Sequence, residues 1–557
     1  MIGRESSQRS FFDAALAVEG LLEPGSFYEL LHRLGPRLIS DEDFADCFDP
    51  TNGRPSAPPA RMFKLLLLQS YEGLSDRQTI ERMAFDLRWK AVLGLEVHDR
   101  PVAQSTLVEH RARIQLHGKM EEAYGLFLKG LVEAGVISTD QVNVLDSTAI
   151  WGRGAVEDTY NLIGSAIRKL LGVSARRQGR PATEIAAEVG LVLTAPADSG
   201  SLKGGAGIDW SDVQARREFL NRLVQEARLA LKALAEGEAV DAGVAEAAAL
   251  LRRILLQDLE SASAATKPNS DRGGDGSQAV LEFGQEVQIR NGVARDRIVS
   301  VGDPEMRHGH KSQNRTWEGY KAHVSVETGH GFITAIEVTP ANVHDAEAAP
   351  HLIRNQQAHG LNSSANVGDM AYSAAELRVW AREHGTEVVA KVPPAPGTPG
   401  CFRKDDFHVD LEAGTVRCPA GEHAHRFVQR SEGGRDFIFD PTVCAGCHLR
   451  TQCTARTPEA MRRTRRGRVV TVHRLEPVLQ AARTAEGTER VQELLRLRWL
   501  AERGIAHLVR RGLRQARYFG TPKVHFQAIT TALVVNLARF AGLPLGSSPL
   551  HPDLCTA

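Results

Sequence analysis

One stretch near the C-terminus, TERVQELLRLRWLAERGIAHLVRRGLRQAR (488–517), limits what this chain can build. Read as a single helix and stepped by about 100° per residue, it places Leu495, Arg498, Trp499, Ile505, Ala506 and Val509 within about 60° of Glu502. Arg496, Arg503, His507, Arg510, Arg511 and Arg514 fall on the flank and back. A carboxylate therefore interrupts a mostly apolar stripe, which is costly unless something pairs with it. Two partners are available. Arg498 stands four residues earlier, at ion-pair spacing. The alternative is that Glu502 faces a metal ion while the arginines face an anionic polymer.

Charge bears on that choice. The chain of 557 residues has formal net charge zero, yet Arg450 to Lys523 holds seventeen Arg and one Lys against six Glu, a surplus of twelve positive charges. A basic stretch inside a neutral chain fits a local polyanion surface, although a solvated helix face would carry similar charge. No apolar run reaches the roughly 18–20 residues of a membrane span. The N-terminus lacks a basic-then-apolar secretory pattern, so a cytoplasmic protein is expected. Seven cysteines, four of them clustered late, do not form a secreted disulfide framework.

Residues 1–135 read as helical. Ser26 to Leu34, Pro59 to Tyr71 and Ser75 to Leu93 carry apolar residues at helical spacing. Ser75 or Asp76 caps the third, and Ser105 caps a later helix holding His110, Arg111 and Arg113. Such a domain suits DNA-end binding, and equally packing or dimerisation. The period changes at QVNVLDSTAI (141–150), where Val142, Val144 and Asp146 share one face of a strand. Helices return from 155 to 262, over Thr159–Leu171, Trp210–Glu236 and Val240–Ala262. A Ser/Gly/Asp-rich linker follows at 263–277. Together, 155–295 reads as an insertion.

Strands resume at RIVSV (297–301), then at Gly319–Glu327 and Phe332–Thr339 in a hairpin. Asn342 or Asp345 caps a helix through Ile353. A short strand ends at Asp369, with Tyr372 just beyond and Ser373/Glu376 in capping-box spacing. Thr386–Val392 is a further strand. Next, in a segment bounded as 395–460, come Cys418, the pair Cys444-x2-Cys447, and Cys453; four thiols at this spacing suit a tetrahedral structural Zn2+. Cys401 and His448 are spare ligands. An apolar helix, Phe526–Phe540, closes the core, and 546–557 is a loose tail.

Three acids stand out: Asp146 on a strand, Asp369 at a strand end, Glu502 on a helix. Carboxylates on core-facing or edge positions with few cationic partners make sense around Mg2+ or Mn2+. Paired ions about 3.5–4 Å apart serve phosphodiester chemistry.

The blocks LDST with Asp146, GYKAHVSVET (319–328), ITAIEVTPANVHDAE (333–347), VGDMAY with Asp369 and RWLAERGIAHLVRRGLRQARYFG (498–520) appear in that order. Together they resemble bacterial insertion-sequence transposases of the DDE type, especially a subgroup with a cysteine-rich insertion before the catalytic glutamate. Residues 54–81 resemble that group's helical leader. The resemblance implies an α/β, ribonuclease-H-like mixed sheet spanning 136–545, with helical and cysteine-rich insertions after an all-α N-terminal domain. It makes Asp146, Asp369 and Glu502 the triad holding two Mg2+ ions. Arg498 fits the family's spacing, while Leu495 and Val509 stand where relatives carry Tyr and a basic residue. Tyr372 takes a positioning role, in contact with the DNA.

The implied activity is cleavage at the element's ends and attack of the freed 3′-OH on target DNA, by a homodimer or larger assembly on double-stranded DNA. Arg498, Arg503, Arg510, Arg511, Arg514 and Arg517, with Lys321, would meet DNA, and His344 phosphate or a neighbouring ligand. Trp210 would stack on a flipped base or simply pack. Competing readings are a metal-dependent nuclease of the same fold, an inactive zinc-stapled DNA-binding protein, and a two-carboxylate glycosidase. The last gives the arginines and cysteines no task.

Overall fold

The structure is a computed structural model and describes residues 1–5, 10–195, 201–236, 241–262, 278–312 and 314–543. The expected linker at 263–277 and the tail at 546–557 lie outside the described residues.

Alternation along Asp140–Trp151 gives strand β1, the centre of a six-stranded mixed sheet. The other strands are β2 (Arg307–Ser312), β3 (Arg315–Glu327), β4 (Ile333–Pro340), β5 (Asn362–Val367) and β6 (Glu387–Val389). β1 runs antiparallel to β3 and parallel to β5, and β6 extends the parallel side. β2 and β4 share the outer edge of β3, at Arg315–Gly319 and Tyr320–Val326 respectively.

Helices cover both faces. Asp345–Ala358 and Ala375–Glu383 pack over Leu145, Ala335 and Val388. The first is fixed by a buried polar network. Gln356 accepts from Asn143 Nδ2 at 3.2 Å and donates to Ser325 Oγ at 2.6 Å and Asn366 Oδ1 at 3.2 Å. With its members satisfied, such a network fixes one register. On the other face, Thr521–Ala541 pins the start of β4 through Asn536, whose side chain accepts from Ile333 N at 2.9 Å and donates to Ile333 O at 2.8 Å.

The N-terminal region is mostly helical, and Pro59–Glu72 is its buried centre. Met62, Phe63, Leu65, Leu67 and Leu68 are fully buried and join the same core as Val324, Val326 and Leu533. Each such side chain contributes roughly 1.5–3 kcal/mol, which is what holds these helices on the sheet. Helices Thr159–Gln178, Val213–Ala235 and Ala242–Asp258 build a second core of their own. Trp210 packs edge-on against Tyr160 and Phe219 there.

Several local expectations are corrected. Ser75 does cap Asp76–Phe85 through a capping box, but Asp86 ends that helix and caps Leu87–Val92. Ala103, not Ser105, precedes Gln104–Leu116, and neither Ser373 nor Glu376 forms a capping box. His344, not Asn342 or Asp345, caps Asp345–Ala358. Residues 297–301 form no strand: Ile298 and Val301 plug the helical insertion's core. The stretch 488–517 is not one helix. It breaks at Leu497–Arg498 into Glu489–Arg496 and Trp499–Arg510. Gly512 then turns with φ 93°, and Arg514–Ala516 bridges to the end of β1 through Trp151. The free edge of β1 supplies hydrogen bonds that a continuing helix would forgo.

Candidate active site

Val144 of β1 pairs with Val367 of β5. Asp146 lies two residues beyond the first and Asp369 two beyond the second, where the backbone is still extended. Alternation carries both carboxylates to one end and one face of adjacent parallel strands. Strand ends of this kind are where α/β sheets place their sites. Asp369 Oδ1 accepts from Ala371 N at 2.9 Å, and Asp146 Oδ1 accepts from Ser147 N at 2.7 Å.

Asp146 is perturbed. Burial, then the charges of Asp369 and Asp345, push its carboxyl up to about 6, against the pull of the Ser147 N–H and Lys311. Like charges crowded in a low-dielectric cleft produce this shift, and a bound cation would relieve it.

Asp345 is a third carboxylate at the same end, one that the sequence offered only as a helix cap. Its Oδ1 accepts from Lys321 Nζ at 2.7 Å and its Oδ2 from Ser147 Oγ at 2.8 Å. Burial opposes ionisation, yet Lys321 and His323 hold Asp345 below the usual carboxylate range. Burial pushes His323 down to about 4, so it is neutral near pH 7, with Nε2 at 2.9 Å from Thr339 Oγ1.

Tyr372 closes the floor. It is fully buried, its hydroxyl has no hydrogen-bond partner among the described residues, and burial followed by the charges of Asp345, Asp146 and Asp369 raises its pKa well above the usual range. A Cβ on Gly368 would stand 2.6 Å from Tyr372 Cδ2, so only glycine admits the ring. An orphaned buried hydroxyl that feels the charge of three carboxylates fits a site completed by a further ligand. Tyr372 was expected near DNA; its ring is instead sealed beneath the acids.

Glu502 is placed differently from the expectation. The buried face of Trp499–Arg510 is Ala501, Gly504 and Leu508, while Glu502 is exposed. No ion pair joins Arg498 and Glu502 among the described residues. Trp499, Ile505, Ala506 and Val509 stay beside Glu502 on this unbroken helix, but the face it buries is the neighbouring one, so the predicted stripe is not the core-facing one. The helix nevertheless crosses the sheet face that carries Asp146, with Gly504 seated on Val326. No hydrogen bond links Glu502 to either aspartate among the described residues.

The arginines divide. Arg498, Arg503 and Arg510 are exposed. Arg511 bonds Tyr71 O and lies 3.9 Å over the Tyr71 ring, and Arg517 Nη2 donates to Leu74 O at 2.6 Å. Arg514 Nη1 donates to Thr148 Oγ1 at 3.0 Å. Lys321, expected at phosphate, is instead mostly buried and paired with Asp345 and Val343 O. His344 is a helix cap, its Nδ1 accepting from Ala346 N at 3.3 Å. Arg111 is buried against Asp76 rather than presented outward.

Cys418, Cys444, Cys447 and Cys453 line one cavity of about 30 Å³, with Glu422, Arg450 and Arg468 at its wall. Cys401 and His448 do not line it. All four thiols are free, and burial raises Cys444 and pushes Cys453 up to about 11. Soft thiols converging from two short helices and from the turn after Arg417 are the donor set Zn2+ takes. No three of the sulfurs lie within 4.8 Å of one another, so the cluster is wider than zinc-bound thiolates. Asp46, Cys47 and His117 do lie that close, in the N-terminal region, but Lys119 Nζ stands 3.0 Å from Asp46 and already supplies the positive charge.

The sheet order, with Asp146 and Asp369 on neighbouring strand ends, defines a ribonuclease-H-like domain. Residues 290–537 match the family described as Transposase DDE domain, and residues 17–113 match the family described as Transposase domain (DUF772). The chain is a DDE-type transposase of the kind insertion sequences carry. Asp146 falls between the two matched segments, and the β1–β5 pairing is what brings it to Asp369. No curated protein and no solved structure matches the chain. Among the described residues, no helix is long and apolar enough to cross a membrane.

Proposed function

We propose that this transposase cleaves the ends of its own element and joins the freed 3′-OH to target DNA. The observation that supports this reading best is the juxtaposition of Asp146 and Asp369, with the Asp146 carboxyl raised to about 6 by burial first and by its acidic neighbours second. That is a site short of positive charge. Asp146, Asp369 and Glu502 would hold divalent ions, Mg2+ or Mn2+. When bound, such ions activate the attacking oxygen and stabilise the leaving one. The chain's own residues set the geometry. The Ser147 N–H orients Asp146, and Tyr372 keeps water from beneath the acids. The exposed Arg498, Arg503 and Arg510 hold phosphates on the Glu502 helix. Joining two ends in one complex calls for a homodimer or larger assembly. The four thiols would hold one Zn2+ per chain as a structural staple. A chain purified without chelator and found free of zinc would remove that staple.

The test is cleavage and strand transfer on DNA carrying the element's ends, comparing wild type with Glu502→Gln. Loss of both reactions with DNA binding retained supports the triad. Full activity in the variant returns Glu502 to a surface role. Cleavage without strand transfer in the wild type favours a nuclease of the same fold.

A further inference from the structure

Part of the positive charge in 450–523 is used within the protein. Arg511, Arg514 and Arg517 bind the protein's own backbone and side chains. A second group does not. Helix Pro458–Thr464 lies at the edge of the cysteine module, and Arg462, Arg463, Arg465 and Arg466 at its end are all exposed. None has an acidic partner within 4 Å among the described residues. The helix's own acid, Glu459, stands one turn before Arg462 and feels its charge, but lies beyond ion-pair distance of all four arginines.

The backbone adds an independent sign. Arg465 is the one non-glycine residue with positive φ, 51°, among the described residues. It closes the helix in the left-handed region, where glycine or asparagine is the usual choice. Arg466 N then bonds back to Met461 O at 3.2 Å. An arginine kept where glycine would be relaxed is a local cost that function explains better than folding. A helix-dipole role accounts for Arg462 and Arg463 but not for Arg465. The module is also tied beside the site. Arg474 Nη2 donates at 3.0 Å to Glu376, on the helix that follows Asp369.

We propose that Arg462, Arg463, Arg465 and Arg466 form a docking surface for the phosphate backbone of duplex DNA, gripping it without reading sequence. Four guanidiniums on one turn present forked donors suited to phosphate oxygens. Phosphate contacts of this kind position a duplex and carry no base information. The proposal rests on DNA being the substrate.

Fluorescence anisotropy of the full chain with a labelled duplex of arbitrary sequence, across a salt series, tests it. Each phosphate contact contributes about 0.9 to the slope of log affinity against log salt. The variant Arg462→Ala/Arg463→Ala/Arg465→Gly/Arg466→Ala should therefore lose about 3 to 4 from that slope. Arg465→Gly alone relaxes the backbone, so it keeps the fold, and should lose about 1. A steep slope in wild type that is unchanged in both folded variants overturns the surface and leaves DNA binding elsewhere. Wild type that binds no duplex overturns the DNA reading itself.

Discussion

Ser147 donates its hydroxyl to Asp345 at 2.8 Å, while its backbone N–H is given to Asp146 at 2.7 Å. One residue thus couples a carboxylate held ionised by Lys321 to a carboxylate that resists ionisation. On the proposed function, Asp345 would act on Asp146 through Ser147 as a positioning residue.

Asp345→Asn should therefore do two things. It leaves the Lys321 ammonium buried without its carboxylate, a loss of about 3 kcal/mol for breaking a buried pair. It also replaces the carboxylate that orients the Ser147 hydroxyl by an amide and raises the Mg2+ concentration needed for half-maximal cleavage. Ser147→Ala removes a single hydrogen bond and should cost about 1 kcal/mol. Urea melts and Mg2+ titrations of cleavage separate the two effects. If Asp345→Asn matches wild type in both, the coupling has no consequence.

Asp146 sets a pH dependence. Its folded pKa, about 6, lies above its ordinary value of 3.8. The folded state then binds the proton more tightly than the unfolded chain. Stability linked to that proton is present below about pH 4 and is lost as pH rises through about 6. Two units correspond to about 3 kcal/mol as an upper bound. Asp146→Asn should melt higher than wild type at pH 8 and equally at pH 4, while abolishing cleavage. Added Mg2+ should raise the wild-type melting temperature and leave the variant unmoved. A variant that melts lower than wild type at pH 8 contradicts this account.

Much of the sheet was legible because strands half-buried on a core alternate visibly. Val142, Val144 and Asp146 announce β1, and the pair Gly319–Glu327 and Phe332–Thr339 announces a hairpin. What alternation cannot give is a third dimension. Asp345 reads as one more polar residue before a helix; only the fold sets it against Ser147 and Lys321. The helix break at Leu497–Arg498 was invisible, since both halves keep helical spacing and neither Pro nor Gly stands there. β2 was missed because RHGHKS has no alternating apolar face. Arginines could be counted from sequence, but whether each meets solvent or its own backbone depends on neighbours hundreds of residues away.

That division yields a contrast. Arg511 and Arg517 hold Tyr71 and Leu74, joining the N-terminal helices to the catalytic sheet. Arg511→Ala should lose the stacked cation and a backbone bond, about 1–3 kcal/mol, and loosen the N-terminal region to protease. Its slope of DNA affinity against salt should stay at the wild-type value. A shallower slope with unchanged protease resistance would assign Arg511 to DNA.

Gly504 offers a sharper test of the Glu502 helix. A Cβ there would stand 2.8 Å from Val326 Cγ2, so Gly504→Ala must lift Trp499–Arg510 by a fraction of an ångström. Val326 pairs with Val144, two residues before Asp146, so the lift falls beside the carboxylates. Alanine favours a helix over glycine by about 1 kcal/mol, which offsets part of the overpacking. Stability should therefore change little. Cleavage should fall by about tenfold or more, because small misplacements of a reacting group are expensive. Gly504→Ala combined with Val326→Ala makes room for the added methyl and should recover much of the lost rate. If Gly504→Ala cleaves normally, the seating of this helix on the sheet does not set the position of Glu502. Full activity in Glu502→Gln would point the same way.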